Sequence, residues 1–193
     1  MKPVDIHLGV SELFSIFIPG LLLVIVILKA FKLEVFLQDS INLWVVIPIA
    51  SYIVGHVFFA IGSKWDSLYD RVKSEDNQPL LDKIGEIRKS VIRFNCDNIN
   101  HYKWCRAILS KQHLDGYKEV LRHEADSKLF RSLIIPIILT SMFLLIYQNW
   151  YFCLIAIGMA YIAFARYKDQ RFKGCRAAYT QVIVLSQIGK LDD

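Results

Sequence analysis

The sequence predicts an all-α integral membrane protein with four transmembrane helices. Of its 193 residues 54% are hydrophobic, and its mean hydropathy is +0.36. The apolar residues occur in long runs without charge, which is typical of membrane spans. One such run covers residues 41–61 and a longer one covers residues 132–165. We therefore expect two membrane hairpins that are joined by a more polar segment.

The first predicted span covers about residues 13–31, LFSIFIPGLLLVIVILKAF. Pro19-Gly20 interrupts this run, and we expect a kink that neighbouring helices compensate. Lys29 lies near the end of the span, where its long side chain can reach the interface. Only Lys2 precedes the run as a basic residue and no good cleavage site follows it. The segment is therefore expected to stay as an anchor rather than to be removed as a signal peptide.

The second predicted span covers about residues 41–63 and contains Pro48 and the pair Gly55-His56. Its charge-free part would be about 31 Å long as a helix, which matches a hydrocarbon core of about 30 Å. Trp65 and Tyr69 follow at helical spacing. We therefore expect this helix to continue beyond the bilayer.

Residues 64–128 are predicted to form a helical cytoplasmic insert between the second and third spans. Pro79 follows a turn-forming stretch and is expected to open an amphipathic helix. A second helix at about residues 99–112 and a third from about Tyr117 complete the insert. The first helix carries an apolar stripe that must be buried, either against the other insert helices or against a partner. The stripe consists of Leu80, Ile84, Ile87, Val91 and Phe94.

Residues 132–165 would be about 51 Å long as one helix, which is too long for a single crossing. The polar stretch Gln148-Asn149 indicates a hairpin tip, so we predict a third span at about 129–147 and a fourth at about 151–167. A C-terminal cytoplasmic helix is expected at residues 168–193. The predicted domain boundaries are therefore 1–63, 64–128, 129–167 and 168–193.

Four crossings place both termini and the insert on the same side of the membrane. Near the span ends, the other side carries only Lys29 and Lys32. The positive-inside rule therefore predicts that the insert and both termini are cytoplasmic and that the chain is a multi-pass protein of the bacterial inner membrane. The basic residues on the cytoplasmic side are Lys64, Arg71, Lys73, Lys118, Arg122, Lys128, Arg131, Arg166, Lys168, Arg171, Lys173 and Arg176.

Residues at which the spans could pack closely or line a pore form the first candidate site. A glycine lets another helix approach, and an intramembrane imidazole usually faces a bundle interior. His56 therefore either makes a structural interhelical hydrogen bond or lines a pore as a proton-sensing group. The candidate packing or pore residues are Pro19, Gly20, Gly55, His56 and Gly158.

A charge cluster at the mouth of the third span forms the second candidate site. Its internal i,i+4 pairs contribute only tenths of a kcal/mol if they are exposed. We expect that Glu124 or Asp126 pairs with Arg166 or Arg171 and sets the angle of the second hairpin. The candidate membrane-boundary ion-pair residues are Glu124, Asp126, Lys128, Arg131, Arg166 and Arg171.

The sequence offers little for catalysis, cofactors or metals. A zinc site would have to combine residues without tight ligand spacing, namely Cys96, His101, Cys105, His113 and His123. Arg106 and His113 fit the loose Arg-x(4–6)-His pattern of HEPN ribonucleases, which arises easily by chance in such a segment. No phosphate-binding glycine loop or nucleophile motif is present, and the spans contain no Asp or Glu. An enzyme, a resident cofactor and a cation transporter are therefore not expected.

The layout resembles the KwaA family, the membrane subunits of the bacterial Kiwa anti-phage defence system. The points of likeness are Phe17-Ile18-Pro19-Gly20 in span one, Gly55-His56 in span two and the segment 124–132 before span three. The resemblance covers most of the chain in layout and length. It implies a membrane-embedded homo-oligomer that senses infection at the envelope and works with a cytoplasmic DNA-binding partner, KwaB. It transfers no catalytic residues.

Two functional hypotheses follow from these observations. The first is a non-enzymatic inner-membrane sensor and scaffold that forms a homo-oligomer, with a tetramer favoured. Its insert would dock a KwaB-like effector through Leu80, Ile84, Ile87 and Val91. It would also contact membrane lipid, and no direct binding of nucleic acid is expected. The second is a pore-forming effector that depolarises the cell on infection, in which replacing His56 would change conductance.

Overall fold

The computed structural model describes residues 3–31, 43–72, 78–91, 100–112, 115–146 and 150–188, and these ranges contain α-helices and no strand. Four of the helices are long and apolar enough to cross a membrane, namely α1, α2, α5 and α6. The prediction of an all-helical chain with four such helices is confirmed. The helices are α1 (Pro3–Ala30), α2 (Leu43–Val72), α3 (Gln78–Val91), α4 (His101–Lys111), α5 (Asp115–Ile146) and α6 (Trp150–Gln187).

The chain divides into two compact units. The first unit comprises residues 1–68 and 125–168, and the second unit comprises residues 69–124 and 169–193. Helices α5 and α6 each contribute residues to both units. The first unit contains the most apolar segments, and the second contains α3 and α4.

Two helices are longer than the sequence predicts. The predicted third insert helix and third span are one helix, α5, which begins at Asp115. The helix expected from residue 168 is continuous with the fourth span, because α6 runs unbroken over 38 residues, about 57 Å. Residues 166–173, at the expected junction, contain no glycine or proline that would end the helix. Helix α2 continues to Val72, as predicted.

Helices α1 and α2 approach each other so closely that their backbones are in contact. A Cβ atom on Gly20 would lie 1.8 Å from the carbonyl oxygen of Ser51, and one on Gly55 would lie 2.0 Å from that of Ile16. Only glycine fits at these two positions, which is the small-residue packing of membrane helices. Gly158, by contrast, has nothing within 4 Å of an added Cβ. It therefore makes no comparable helix contact in the described part of the chain.

The buried face of α2 follows a regular helical stripe. Ser51, Gly55, Phe58 and Gly62 are buried, with the spacing i, i+4, i+7, i+11 of one helix face. Helix α5 also contacts α1, because the Ser132 hydroxyl donates to the Ser15 carbonyl at 2.7 Å. Helices α5 and α6 share a small apolar core of Ile134, Ile137, Ala156 and Ala163.

Most of the apolar surface of the spans is exposed. Only 22% of the apolar window of α1, 22% of that of α2, 33% of that of α5 and 28% of that of α6 is buried within the chain. A soluble protein rarely exposes contiguous apolar surface of this extent. This surface therefore requires lipid or other membrane helices around it. At the start of α6 the stacked rings of Trp150 and Tyr151, 3.5 Å apart, are of the type found at lipid headgroups.

The second unit has its own hydrophobic core, to which α3, α4, α5 and α6 all contribute. Asn100 caps α4, since its side chain accepts a hydrogen bond from the Tyr102 backbone amide at 2.8 Å. The buried residues of this core are Ile84, Tyr102, Trp104, Cys105, Leu109, Val120, Ala178, Tyr179, Val182 and Leu185. Helical spacing in the sequence predicts inward positions for Tyr102, Cys105, Leu109, Tyr179 and Val182, which are buried here. It does not single out Trp104, Ala178 or Leu185.

The apolar stripe of α3 is divided between core and surface. Ile84 is fully buried, and Leu80 and Ile87 pack against the core. Val91, in contrast, is 38% exposed. Phe94 lies outside the described residues. Ile84 is therefore buried by the other helices of its own unit, which is the first of the two alternatives predicted for this stripe.

We predict that Gly20→Ala destabilises the protein by about 1–3 kcal/mol, because the added methyl group forces α1 and α2 apart. Gly158→Ala is the matched control, since its methyl group meets open space and alanine favours the helix. Thermal unfolding of the two detergent-solubilised variants measures the difference. Equal stability of Gly20→Ala and the parent would contradict the observed backbone contact.

Candidate functional site

A polar cluster in the first unit joins three of its helices. Arg131 of α5 donates through Nη1 to Asp66 Oδ2 of α2, and the Tyr167 hydroxyl of α6 donates to Asp66 Oδ1 at 2.8 Å. The Arg131 side chain is only 7% exposed and Tyr167 is fully buried. A buried guanidinium requires a counter-charge, and Asp66 supplies it.

Two further residues of α2, Phe59 and Gly62, also accommodate the charged side chain of Arg131. Its guanidinium lies 5.2 Å from the centre of the Phe59 ring, a cation–π distance. A Cβ atom on Gly62 would lie 3.3 Å from Arg131 Cγ, so the glycine leaves room for the arginine stem. The cluster therefore combines charge pairing, a hydroxyl donor and an aromatic face around a single arginine.

This cluster differs from the ion pairs that the sequence analysis proposed. Arg131 was named, but its partner Asp66 and the tyrosine Tyr167 were not named as site residues. The sequence signal that could have identified Asp66 is its position as the first acidic residue after the charge-free run of span two. Pairing of Glu124 or Asp126 with Arg166 or Arg171 stays a prediction.

A second polar cluster lies in the second unit, around Glu124. Arg106 Nη1 donates to Glu124 Oε1 at 3.1 Å, and the Tyr102 hydroxyl lies 3.4 Å from Oε2. The Arg171 guanidinium lies 5.3 Å from the centre of the Tyr102 ring. Burial, reinforced by the Glu124 charge, raises the pKa of Tyr102 well above its ordinary value. Burial disfavours the charge on Arg106, but Glu124 and Tyr117 outweigh it and raise the pKa of Arg106.

A cleft of about 370 Å³ lies beside this cluster on α5 and α6 of the second unit. His123 borders it and has Gln170 Oε1 2.7 Å from its Nδ1 and Glu119 3.8 Å from its Nε2. The lining is mixed in charge, with Glu119 opposed by Lys173 and Arg176. Lys173 is also bound to Asp169 at 2.9 Å, so it is not held for a ligand alone.

The described residues do not form a geometry that supports the zinc or the ribonuclease hypothesis. Cys105 is fully buried in the core and His123 is bound to Gln170, while Cys96 and His113 lie outside the described residues. Within the ranges that the structure describes, no three His, Cys, Asp or Glu residues are grouped so that they could hold a metal ion. Arg106, the arginine of the ribonuclease pattern, is engaged by Glu124.

His56 lies on the exposed face of α2, opposite the contact with α1. Its ring meets the ring of Tyr52 edge-on, with 4.5 Å between centroids. The expected interhelical hydrogen bond to another span of the same chain is not among the contacts of the described residues. A pore lined by His56 would therefore have to form between copies rather than within one.

Comparison with protein families, curated proteins and solved structures finds no match to this chain. The likeness to the KwaA family therefore depends on the layout of spans and insert and on the short segments quoted above.

We predict that Asp66→Asn destabilises the protein by about 3–5 kcal/mol, because it leaves the buried Arg131 without its counter-charge. Asp169→Asn is the control, since it removes an exposed i,i+4 pair with Lys173 that contributes only tenths of a kcal/mol. Thermal unfolding in detergent compares the two. A loss for Asp66→Asn no larger than that of the control would show that the buried pair does not hold the three helices.

Burial raises the pKa of the Cys105 thiol to about 12. The folded pKa lies above that of an unfolded thiol, about 9, so folding favours the protonated form and stability falls as pH rises from about 9 toward 12. We expect the partly buried Cys175 to react faster with iodoacetamide at pH 8.5, while the fully buried Cys105 reacts only after unfolding. Mass spectrometry of labelled peptides measures both, and equal labelling of the two in the native protein would contradict the burial.

Proposed function

We propose that this chain is an inner-membrane sensor and scaffold subunit of an anti-phage defence system, which forms a homo-oligomer and docks a cytoplasmic DNA-binding effector. The proposal combines the resemblance to the KwaA family with the division of the chain into two units. It does not assign catalysis to any residue.

The observation that carries the proposal is the second unit's own hydrophobic core, present in a chain with four apolar helices. Ile84, Leu109, Val120 and Val182 are fully buried in this core. A segment that only connected two spans would not need such a core, whereas a folded platform that presents a surface to a soluble protein does. The apolar helices supply the anchor, and the second unit supplies the docking surface.

The charge distribution supports a cytoplasmic position for the second unit. Basic residues are concentrated in α5 and α6 near the apolar runs, while Lys29 and Lys32 are the basic residues near the opposite span ends. By the positive-inside rule this asymmetry supports a cytoplasmic position for the second unit and both termini, where a DNA-binding effector would be found.

The described polar clusters have structural explanations that leave a scaffold role open. Asp66 and Arg131 neutralise each other, and Arg106 and Glu124 do the same in the second unit. Each pair leaves an uncompensated charge if one partner is removed, so a role in helix placement explains them. Docking would instead use surface residues, of which Val91 is the exposed member of the α3 stripe.

We predict that Val91→Glu lowers co-purification of a KwaB-like protein, encoded by a neighbouring gene and co-expressed with the chain, by at least tenfold. The charge would have to be desolvated at an apolar contact, which explains the loss. Val184→Glu is the matched control, because Val184 is a similarly exposed valine of the same unit, 45% against 38%. The measurement is affinity purification in mild detergent.

Alkaline extraction of membranes first establishes that both variants are inserted. Retention of the effector by Val91→Glu, or equal loss with the control, would refute docking through the α3 stripe. Failure of the parent chain to bind the effector at all would refute the scaffold function itself.

A further inference from the structure

The exposed face of α2 carries polar groups at a depth where lipid offers no hydrogen bonds. The apolar window of this helix covers Val45–Lys64, and His56 lies about 16 Å along the axis from its first residue and about 12 Å from its last. Both His56 and Tyr52 are exposed to the surroundings of the chain. A side chain of this kind in a span almost always faces other protein.

The position of α1 explains why the face of α2 that carries His56 is not covered by another helix of the same chain. The opposite face of α2 is occupied by α1 through Gly20 and Gly55, with backbone contact that leaves no room for rotation of one helix against the other. His56 therefore cannot turn inward without breaking that contact. Another protein surface has to come to His56 instead.

The residues around His56 are suited to a helix contact. Ile49, Ile53 and Val57 lie on the same side of α2 and are all more than half exposed. Together with His56 and Tyr52 they form the α2 outer face, an apolar surface with a polar centre. Where membrane helices meet, van der Waals packing drives association and polar side chains such as His bond across the interface.

A second copy of the same chain fits this surface for a chemical reason. A neutral imidazole has one N–H donor and one nitrogen acceptor, and a tyrosine hydroxyl has both functions. Two identical faces therefore supply all the hydrogen-bond partners that each of them lacks, as a self-complementary interface requires. A lipid tail could supply none of them.

We propose that the α2 outer face is the surface through which two copies of this chain associate in the membrane, with His56 and Tyr52 hydrogen-bonded across the interface. The proposal rests on the membrane-spanning homo-oligomer proposed above and names the surface that forms it. The α3 stripe proposed for effector docking lies on a different helix.

The test places the photoreactive amino acid p-benzoylphenylalanine at position 53 of the full chain in membranes of a bacterial expression host. The control places it at position 155 of α6, where the native isoleucine is equally exposed, 58% against 59% for Ile53. Illumination is expected to give a product of twice the chain mass from position 53 and at least fivefold less of it from position 155. Mass spectrometry identifies the cross-linked peptides.

Variants of the polar centre then test its role. His56→Leu is expected to lower the position-53 product at least fivefold, and Tyr52→Phe to lower it by a smaller factor. His56→Gln, which keeps a donor and an acceptor, is expected to retain most of the product. Tyr161→Phe on the exposed side of α6 serves as the matched control for Tyr52→Phe and should leave the product unchanged.

Several outcomes would overturn the proposal. They are lipid adducts alone at position 53, adducts with a different protein, equal self-cross-linking from positions 53 and 155, or no effect of His56→Leu in inserted protein. None of these outcomes bears on effector docking, which is measured separately by co-purification. Release of the parent chain by alkaline extraction would instead defeat the membrane function on which this proposal rests.

Discussion

The ion pair between Arg131 and Asp66 is the interaction on which the first unit most depends. It connects α5 to α2, and the Tyr167 hydroxyl extends the connection to α6. Apolar packing between membrane helices has little driving force of its own, because lipid tails are as apolar as leucine. A paired charge of defined geometry is therefore an effective way to specify which helices are neighbours. Gly62 and Phe59 adapt the surroundings to the arginine.

The second unit is held together by a different balance of forces. Its core is built from fully buried apolar side chains, and its polar cluster around Glu124 lies beside that core. Such a core is typical of soluble domains, in which burial of apolar surface from water is the main stabilising contribution. Glu124 is nearly buried, with 9% of its side chain exposed, and therefore depends on the charge of Arg106, whose side chain is 39% exposed.

The sequence was sufficient for the helices and their periodicity, but not for contacts between distant segments. Charge-free runs predicted the four apolar helices, and helical spacing predicted that Ile84, Cys105 and Val182 face inward. The continuity of the fourth span with the C-terminal helix was not foreseen, because a change in polarity along a helix does not end it, whereas Gly or Pro at the right place can.

The candidate sites show the same limit more clearly. Gly20, Gly55 and Gly158 looked alike as small residues in spans, yet only the first two meet another backbone. Asp66 was overlooked since its importance arises from Arg131, 65 positions further along the chain. Pairings across such separations depend on how the helices are placed in space, and a single sequence carries no signal for that placement.

The aromatic pair at the start of α6 has a consequence for how the protein fits its membrane. Trp150 and Tyr151 would hold this end at the headgroup layer, and the first charge along the helix, Arg166, follows after only 16 uncharged residues. That stretch measures about 24 Å, less than the roughly 30 Å of an average hydrocarbon core. The bilayer must thin locally, or Arg166 and Lys168 must extend toward the headgroups. Such hydrophobic mismatch makes the energy of the embedded protein sensitive to the thickness and tension of the lipid around it.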